Sequence, residues 1–317
     1  MLDLSIRIRE VAEELFRQKE VELIIGFEEG SMPLHSTPCF IRNEQEVERL
    51  TWNSFCDNNL ATYLVKRPEK VAIIAKGCDA RAIVELIKEK QIPREQVVIV
   101  GLPCRGMVDR RRIEAELEAH EILEVDEQHD KLTLKGDGFT KALNRDEYLY
   151  PCCQACTHRN PGTYDILIGD MVAEKAADQY PDIAEFEAQP PEERWQYISD
   201  EVNKCIRCYA CRNACPLCYC KECFVDKTRP QWIGKTTDTN DTFIFHIMRA
   251  FHLAGRCVEC GACERACPME VDIRKLNRKL AADVKELFGY EAGTSLDQAA
   301  PLATFRPDDP EDFMLGV

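Results

Sequence analysis

Eight cysteines in two arms of the chain carry the strongest chemical signal in the sequence. The first arm runs from Cys205 to Pro216 and the second from Cys257 to Pro268, and both read C-x2-C-x2-C-x3-C-P. Three closely spaced thiols in one loop can bind three irons of a small inorganic cluster, and a fourth cysteine before a proline crosses to a second cluster. The paired pattern therefore predicts two [4Fe–4S] clusters that exchange their fourth ligands.

The spacing, which is that of bacterial two-cluster ferredoxins, assigns four thiolates to each cluster. The ligands predicted for the first cluster are Cys205, Cys208, Cys211 and Cys267. Those predicted for the second cluster are Cys257, Cys260, Cys263 and Cys215. Zinc sites or disulfides are the alternative, but zinc sites do not call for the repeated C-x3-C-P ending.

Length, charge and cysteine content restrict the class of protein. The chain has 317 residues, enough for about two domains. Its net charge of -15 argues against nucleic acid as a partner, because phosphate binding needs a basic face. No apolar run approaches the roughly 20 residues of a membrane helix, and the N-terminus lacks a signal-peptide core. The 18 cysteines in a chain of this length indicate metal ligation in a reducing compartment. We therefore expect a cytoplasmic protein, or one bound to a membrane only through partners, without direct membrane insertion.

Four further cysteines point to a third cluster. Buried strands at 71–75 and 97–100 flank a helix, which predicts a parallel pair whose carboxyl ends meet at one edge of a sheet. Cysteines follow both strands, and a Cys-x2-Cys pair precedes a short strand at 164–168. The predicted ligands are Cys78, Cys104, Cys153 and Cys156, and Cys152 could replace Cys153. A zinc site or a reduced structural cysteine cluster is the alternative.

A cysteine-rich insert separates the two arms. It contains Cys218, Cys220 and Cys223, which an ordinary two-cluster ferredoxin does not have. With Cys152 as a fourth donor, these thiols could bind a fourth cluster. The alternative is that they pack without a ligand, and iron counting distinguishes the two.

The pattern of elements predicts an α/β fold: a parallel-sheet N-terminal domain with a cluster site at its strand ends, then a mostly helical ferredoxin domain. We expect the α/β domain over 1–180, the ferredoxin domain with its insert over 181–290, and an extended tail over 291–317. The other predicted elements are helices at 5–19, 44–50, 53–65, 109–119, 242–254 and 271–288, a strand at 21–27, a loop around Pro33 and Pro38, strands at 121–125 and 131–135, and a helical linker over 171–204.

The combination of these segments resembles a known family. The segments are Gly101-Leu-Pro-Cys104, Cys153-Gln-Ala-Cys156, Asp165-Ile-Leu-Ile-Gly-Asp170 and the double ferredoxin pattern with its insert. They resemble the beta subunits of coenzyme F420-dependent hydrogenases and formate dehydrogenases. The stretch from Cys205 to Cys267 is especially similar to the formate dehydrogenase beta subunit.

The resemblance implies a cluster beside FAD in the first domain, and redox partner subunits. We expect an iron–sulfur electron-transfer subunit of an anaerobic oxidoreductase complex of the formate dehydrogenase, hydrogenase or heterodisulfide-reductase-like kind. The alternatives are an FAD-containing subunit that itself oxidises or reduces coenzyme F420 or another soluble hydride carrier, and a non-redox scaffold. The sequence has no Ser/His/Asp arrangement, so no catalytic residue is assigned. It also lacks a G-x-G-x-x-G fingerprint, which the family's flavin site does not use.

Overall fold

The computed structural model describes residues 2–117, 120–175 and 180–304. The last two residues of the helix predicted at 109–119, and residues 305–317 of the tail predicted at 291–317, lie outside this range. The chain divides into two compact units, Met1–Ile83 with Lys90–Ala176, and Val84–Glu89 with Ala177–Val317. Each unit is described by itself.

The described residues form ten α-helices and eight strands, besides short 3-10 turns. The helices are α1 (Leu2–Arg17), α2 (Gly77–Lys88), α3 (Arg110–Glu116), α4 (Pro151–Gln154), α5 (Pro181–Glu187), α6 (Pro191–Asn203), α7 (Ala210–Asn213), α8 (Thr239–His252), α9 (Ala262–Arg265) and α10 (Ile273–Phe288). The strands are β1 (Leu23–Glu29), β2 (Ser36–Ile41), β3 (Val71–Ala75), β4 (Val97–Gly101), β5 (Ile122–Gln128), β6 (Lys131–Gly136), β7 (Phe139–Asn144) and β8 (Ile166–Leu167).

The first unit is built on a five-stranded sheet in the order β2-β1-β3-β4-β8. Strands β3 and β4 are apolar and buried along their whole length, as strands covered on both faces must be. They pair in parallel with Ala75 opposite Gly101, so both end at the same edge of the sheet. The short strand β8 adds to β4, also in parallel. The α/β fold class and the parallel strand pair are therefore confirmed.

The edge strand β2 was not predicted, because Pro33 and Pro38 indicated a loop. It pairs antiparallel with β1, and Pro38 lies opposite Phe27. Proline cannot donate to a ladder but is tolerated on an edge strand, which explains why the pattern was misleading. The helix predicted at 53–65 is also wrong, since that stretch contains only a 3-10 turn at Leu60–Tyr63.

A second, antiparallel sheet in the order β5-β6-β7 lies in the same unit. The predicted strand pair is confirmed, and the structure adds β7 as a third strand. Its core combines buried apolar residues of β6 and β7 with Ile113 of α3, and Cys153 packs against this core at its border. This packing helps to fix the loop that carries the Cys-x2-Cys pair.

The second unit is mostly helical, as predicted. Its main helices α8 and α10 begin at aspartates: Asp238 accepts from the Asn240 amide, and Asp272 from the Lys275 amide at 3.2 Å. Helix α8 contacts both α6 and α10. A core of buried residues from α8, the arms and the insert includes Phe245, Val225, Cys211 and Cys267. The thiols of the arms are thus part of the hydrophobic packing.

None of the helices that the structure describes is both long and apolar enough to cross a membrane.

Candidate iron–sulfur sites

The two arms fold in the same way around their middle cysteines. In the first arm Arg207 and Tyr209 have left-handed backbone conformations, with φ of 56° and 61°. Glu259 and Gly261 occupy the equivalent positions of the second arm, with φ of 56° and 70°. A left-handed conformation costs a non-glycine residue about 1 kcal/mol, so the first arm carries a strain that the second reduces with Gly261. The two arms therefore share the same tight backbone turn between their cysteines.

The first predicted ligand set comes together in the structure. Its four cysteines line one small cavity in the second unit, together with Tyr209, Phe245, His246 and Ile273. The cysteines in this cavity are Cys205, Cys208, Cys211 and Cys267. The Arg207 amide approaches the Cys205 Sγ at 3.4 Å, and the Val271 amide approaches the Cys267 Sγ at 3.4 Å. Such N–H···S contacts stabilise the negative charge of a thiolate ligand.

The second predicted set is linked by electrostatic proximity. Burial is the largest cause of the raised pKa of the Cys263 thiol, about 11, and the charges of Cys215 and Cys260 raise it further. The pKa of Cys257 is raised well above its usual value, first by burial and then by the charges of Glu259, Cys263 and Cys260. These thiols therefore lie close enough for the ionisation of one to oppose that of the next.

The two ligand sets adjoin each other. Burial raises the pKa of Cys211, in the first set, to about 12, and the charge of Cys263, in the second set, contributes to the same rise. A buried arginine, Arg249 of α8, lies beside both thiols and lowers both pKa values. Its Nη2 donates to the carbonyl oxygen of Cys211 at 3.0 Å.

Several buried donors around these sets have no hydrogen-bond partner within the part of the chain that the structure describes. They are His246 Nε2, Arg249 Nε, and Arg207 Nε and Nη1. A buried polar group without a partner costs about 1–3 kcal/mol, so such groups usually mark a missing ion, water or cofactor. Burial lowers the pKa of His246 to about 4, with the charges of Arg249 and Arg207 as further causes, so its imidazole is neutral at pH 7. These donors and the grouped thiols fit [4Fe–4S] clusters, whose sulfurs accept hydrogen bonds.

The high thiol pKa values have a direct chemical meaning. Metal ligation requires thiolates, and burial together with neighbouring thiolates makes them costly to form in the free protein. Bound iron supplies the compensating positive charge and displaces the protons. In the described part of the chain, no group of three or more His, Cys, Asp or Glu side chains is placed to bind a single metal ion. A cluster does not need such convergence, because each thiolate binds a different iron.

A close backbone approach brings the Cys-x2-Cys loop to the strand ends of the first unit. A Cβ on Gly77 would lie 2.2 Å from the His158 carbonyl oxygen, so only glycine allows this contact. The Cys104 amide donates to the Arg159 carbonyl at 2.9 Å. The segment just after Cys156 is thereby held against the ends of both β3 and β4.

The thiols at this edge interact, as the third predicted set requires. Burial raises the pKa of Cys104 to about 12, and the charges of Cys153 and Cys156 add to the rise. The Gly106 amide approaches the Cys104 Sγ at 3.3 Å. Cys152 is buried, with its Sγ 3.9 Å from the Cys153 Sγ, which places it next to the thiol it could replace.

A buried lysine lies at the same edge. Lys76 follows β3 and is 1% exposed, and its Nζ donates to the carbonyls of Cys56 and Asn58 and pairs with Asp79 at 3.0 Å. Burial lowers its pKa, but Asp79, followed by Cys78 and Cys104, outweighs burial and raises it. Lys76 is therefore a fixed positive charge beside two of the predicted ligands.

The insert cysteines lie together in the second unit, and their role as ligands of a fourth cluster stays a prediction. Cys218, Cys220 and Cys223 line a cavity of about 610 Å³ in the second unit, to which Arg249 also contributes. The Cys218 and Cys215 thiols share a hydrogen bond, which raises the pKa of Cys215 and lowers that of Cys218. Cys218 thus adjoins a predicted ligand of the second cluster. Cys152, the predicted fourth donor, belongs to the first unit.

Sequence reasoning missed the polar groups that surround the thiols. Arg249 and His246 lie on the helix directly before the second arm, but a periodic pattern does not show that one face of that helix meets sulfur. Lys76 lies two residues before Cys78, in a predicted strand-end turn. A lysine at the end of a fully apolar strand was the one available signal that a buried charge lies there.

Comparison with known proteins first defines the class. Residues 201–271 match the 4Fe-4S dicluster domain, so the second unit contains an iron–sulfur module. Residues 68–198 match the C terminus of the coenzyme F420 hydrogenase/dehydrogenase beta subunit. The two matches lie next to each other along the chain, and the resemblance to that beta-subunit family seen in the motifs is confirmed.

Two curated relatives align along most of their length. The F420-dependent formate dehydrogenase subunit beta of Methanocaldococcus jannaschii is 27% identical over 90% of both chains. The F420-dependent formate dehydrogenase 1 subunit beta of Methanococcus maripaludis is 24% identical over 89% of this chain and 88% of its own. A chain of the xenon-derivatised F420-reducing [NiFe] hydrogenase complex of Methanosarcina barkeri is 14% identical, with a TM-score of 0.38, over 50% of this chain and 59% of that one.

Proposed function

We propose that this chain is the iron–sulfur electron-transfer subunit of an F420-dependent formate dehydrogenase or a related hydrogenase. In this role it carries single electrons between the redox centre of a partner subunit and a further subunit or flavin. The observation that carries the proposal is the packing of α7 against α9, which brings Cys211 of the first set near Cys263 of the second. Two clusters held by such neighbouring thiolates would lie within short range for electron transfer.

The cysteines would hold the clusters as the spacing predicts, and a bound [4Fe–4S] cluster accepts and releases one electron. The strand-end set would hold a third cluster. It joins three interacting thiols, Cys104, Cys153 and Cys156, with Cys78, which acts on the Lys76 charge as Cys104 does. A fourth cluster in the insert stays a prediction. The domain limits 1–180, 181–290 and 291–317 are also part of the proposal.

The second candidate is a subunit that binds FAD and itself exchanges hydride with coenzyme F420. The relatives favour it, because both carry F420-dependent activity in their names and align over about nine-tenths of this chain. A flavin converts a two-electron hydride transfer into single-electron steps, so this function would use the same cysteine sets for the electrons that leave.

The experiment compares two reductants on the whole chain, purified without oxygen. Iron, sulfide and flavin are measured, and electron paramagnetic resonance spectra are recorded after addition of dithionite or of reduced coenzyme F420. Cys208→Ser and Cys260→Ser each remove a predicted ligand, and Cys39→Ser removes a buried thiol of β2 as the matched control.

The proposed electron-transfer function predicts electron paramagnetic resonance signals of the clusters after dithionite. Each ligand variant should lose one signal, and the Cys39→Ser control should keep all of them. Bound flavin with reduction by coenzyme F420 would support the second candidate instead. Signals that never appear on reduction, with iron present, would mean that the clusters only support the fold. Protein without iron would reject all three.

A further inference from the structure

We propose that Arg249 raises the reduction potentials of both ferredoxin clusters. Its guanidinium would interact with thiolates of the two ligand sets at once. The inference rests on the proposed function and concerns how its electron path is tuned. The reduced state of each cluster carries one more negative charge than the oxidised state. A buried cation beside the ligands stabilises the reduced state and so raises the reduction potential.

The position of Arg249 is unusual for an arginine. It lies on α8, is 4% exposed, and its Nη2 donates to the Cys211 carbonyl oxygen at 3.0 Å. Burying an arginine is costly unless negative charge compensates it. In the ranges that the structure describes, no carboxylate forms an ion pair with Arg249. The groups around its charge are thiols, which would supply compensating negative charge as the thiolate ligands of bound clusters.

The thiols around Arg249 come from both ligand sets. Burial lowers the pKa of its guanidinium, but the charges of Cys215, Cys263, Cys218 and Cys211 outweigh burial and raise it. Cys211 belongs to the first set, Cys215 and Cys263 belong to the second, and Cys218 adjoins Cys215. One cation therefore faces the junction of the two sets.

The guanidinium also has unused hydrogen-bonding capacity at this junction. Arg249 Nε is buried and has no hydrogen-bond partner among the residues described. Arginine offers five N–H donors in a fixed plane, and only part of that set is used by the Cys211 carbonyl and the Cys218 thiol. The remaining N–H donors can hydrogen-bond to thiolate or sulfide sulfur. Such hydrogen bonds raise the reduction potential of a cluster, as the positive charge also does.

The two other buried arginines of this unit provide a contrast. Arg278 is also 4% exposed, but it pairs with Asp182 at 2.6 Å and with Glu259 at 2.7 Å. Arg207 is held over the Tyr209 and Phe245 rings, at 5.5 and 5.2 Å. Carboxylates neutralise the first, and the second stacks on aromatic rings of the first arm and α8. Arg249 differs from both in lying beside thiols of the two sets.

The test is a redox titration of the whole chain, purified without oxygen, with each cluster followed by electron paramagnetic resonance. The variants are Arg249→Met, which removes the charge and the donors, and Arg249→Lys, which keeps the charge. Lys279→Gln removes a half-buried charge on α10 that pairs with Asp283 and Glu187, and it is the control. Iron per chain is measured for each variant.

Arg249→Met should lower the potentials of both ferredoxin clusters, each by at least a tenfold fall in the equilibrium constant for reduction, or about 59 mV. Arg249→Lys should fall between Met and wild type, and Lys279→Gln should match wild type. Unchanged potentials in a Met variant that keeps its iron, or a shift in one cluster alone, would overturn the inference. If the Met variant loses its iron, the Lys variant must keep both clusters; loss in both would mean a purely structural role. Wild-type protein without clusters would instead reject the proposed function.

Discussion

At the scale of single residues, Cys215 and Cys218 form the most informative pair. Their thiols share a hydrogen bond, so a second sulfur lies beside the predicted fourth ligand of the second cluster. We expect Cys215→Ser to keep much of the second cluster, because Cys218 can replace the missing ligand with little movement. The double variant Cys215→Ser/Cys218→Ser should lose about four iron per chain relative to the single variant.

Iron analysis and the cluster signals of anaerobically purified protein check this prediction. Cys218→Ser alone is the control, since it leaves both predicted ligand sets intact and should keep both ferredoxin signals. Loss of the whole second cluster in the Cys215→Ser single variant would show that Cys218 does not substitute.

Lys76 gives a stability prediction for the first unit. Lys76→Met leaves the fully buried Asp79 without its counter-ion, although Asp79 still accepts from the Leu60 and Lys76 amides at 2.8 Å. Breaking a buried ion pair on one side costs about 3–5 kcal/mol. Urea unfolding of the holoprotein should show this loss, whereas Lys131→Met, at an exposed position of β6, should change stability by less than about 0.5 kcal/mol. A comparably small effect of Lys76→Met would contradict the buried pair.

The sequence predicts the cysteine ligands of the sites but not the charged residues around them. The ligand sets follow from spacing, because a C-x2-C-x2-C loop cannot place its thiols in many ways. Arg249, His246 and Lys76 depend on which face of a helix or strand end meets those loops. Which face meets the loops is decided by tertiary packing, and no local sequence pattern shows it.

At the scale of elements, Arg278 connects α5, α10 and the second arm. It binds Asp182 through two bonds, at 2.6 and 3.0 Å, and Glu259 through one at 2.7 Å. Glu259 lies between Cys257 and Cys260, so this ion-pair group ties a ligand loop to two helices. Burial raises the pKa of Asp182, but the Arg278 pair outweighs burial and holds the pKa below its usual value of 3.8.

The sign of this shift gives a pH prediction. A lowered pKa in the folded state contributes stability that is present above the unfolded pKa of about 3.8 and is lost as the pH falls through the folded value. Asp182→Asn should therefore destabilise the protein by the same amount at pH 8 and pH 5, about 1 kcal/mol, since Asp182 is partly exposed and screened. Urea unfolding at both values measures the difference. A difference that shrinks markedly by pH 5 would contradict the lowered pKa.

Elements were predictable where a single periodicity or an uninterrupted apolar run decided them. Strands β3 and β4 and helices α8 and α10 belong to this group. Strand β2 was missed because its prolines indicated a loop, and β7 because its exposed residues alternate weakly along a short stretch. Both strands are defined by the neighbours they pair with, which a local pattern does not reveal.

At the scale of the whole molecule, the chain combines two kinds of cysteine site within one polypeptide. The strand-end set uses the edge of a parallel sheet, where backbone ends from several strands meet. The arm sets use two loops of similar shape, and Cys267 of the second arm lines the same cavity as the first three cysteines of the first arm. Both kinds hold thiols that are costly to ionise until a metal is bound, and both place a buried cation, Lys76 or Arg249, beside them.

The most direct test of the account is the count of iron and sulfide per chain in protein purified without oxygen. Three clusters on the arm and strand-end cysteines predict about 12 of each, and an occupied insert would raise the count to about 16. A count of about 8 would remove the strand-end cluster while leaving the two ferredoxin clusters in place. Colourless protein that contains zinc and no sulfide would contradict the central claim that these cysteines bind iron–sulfur clusters.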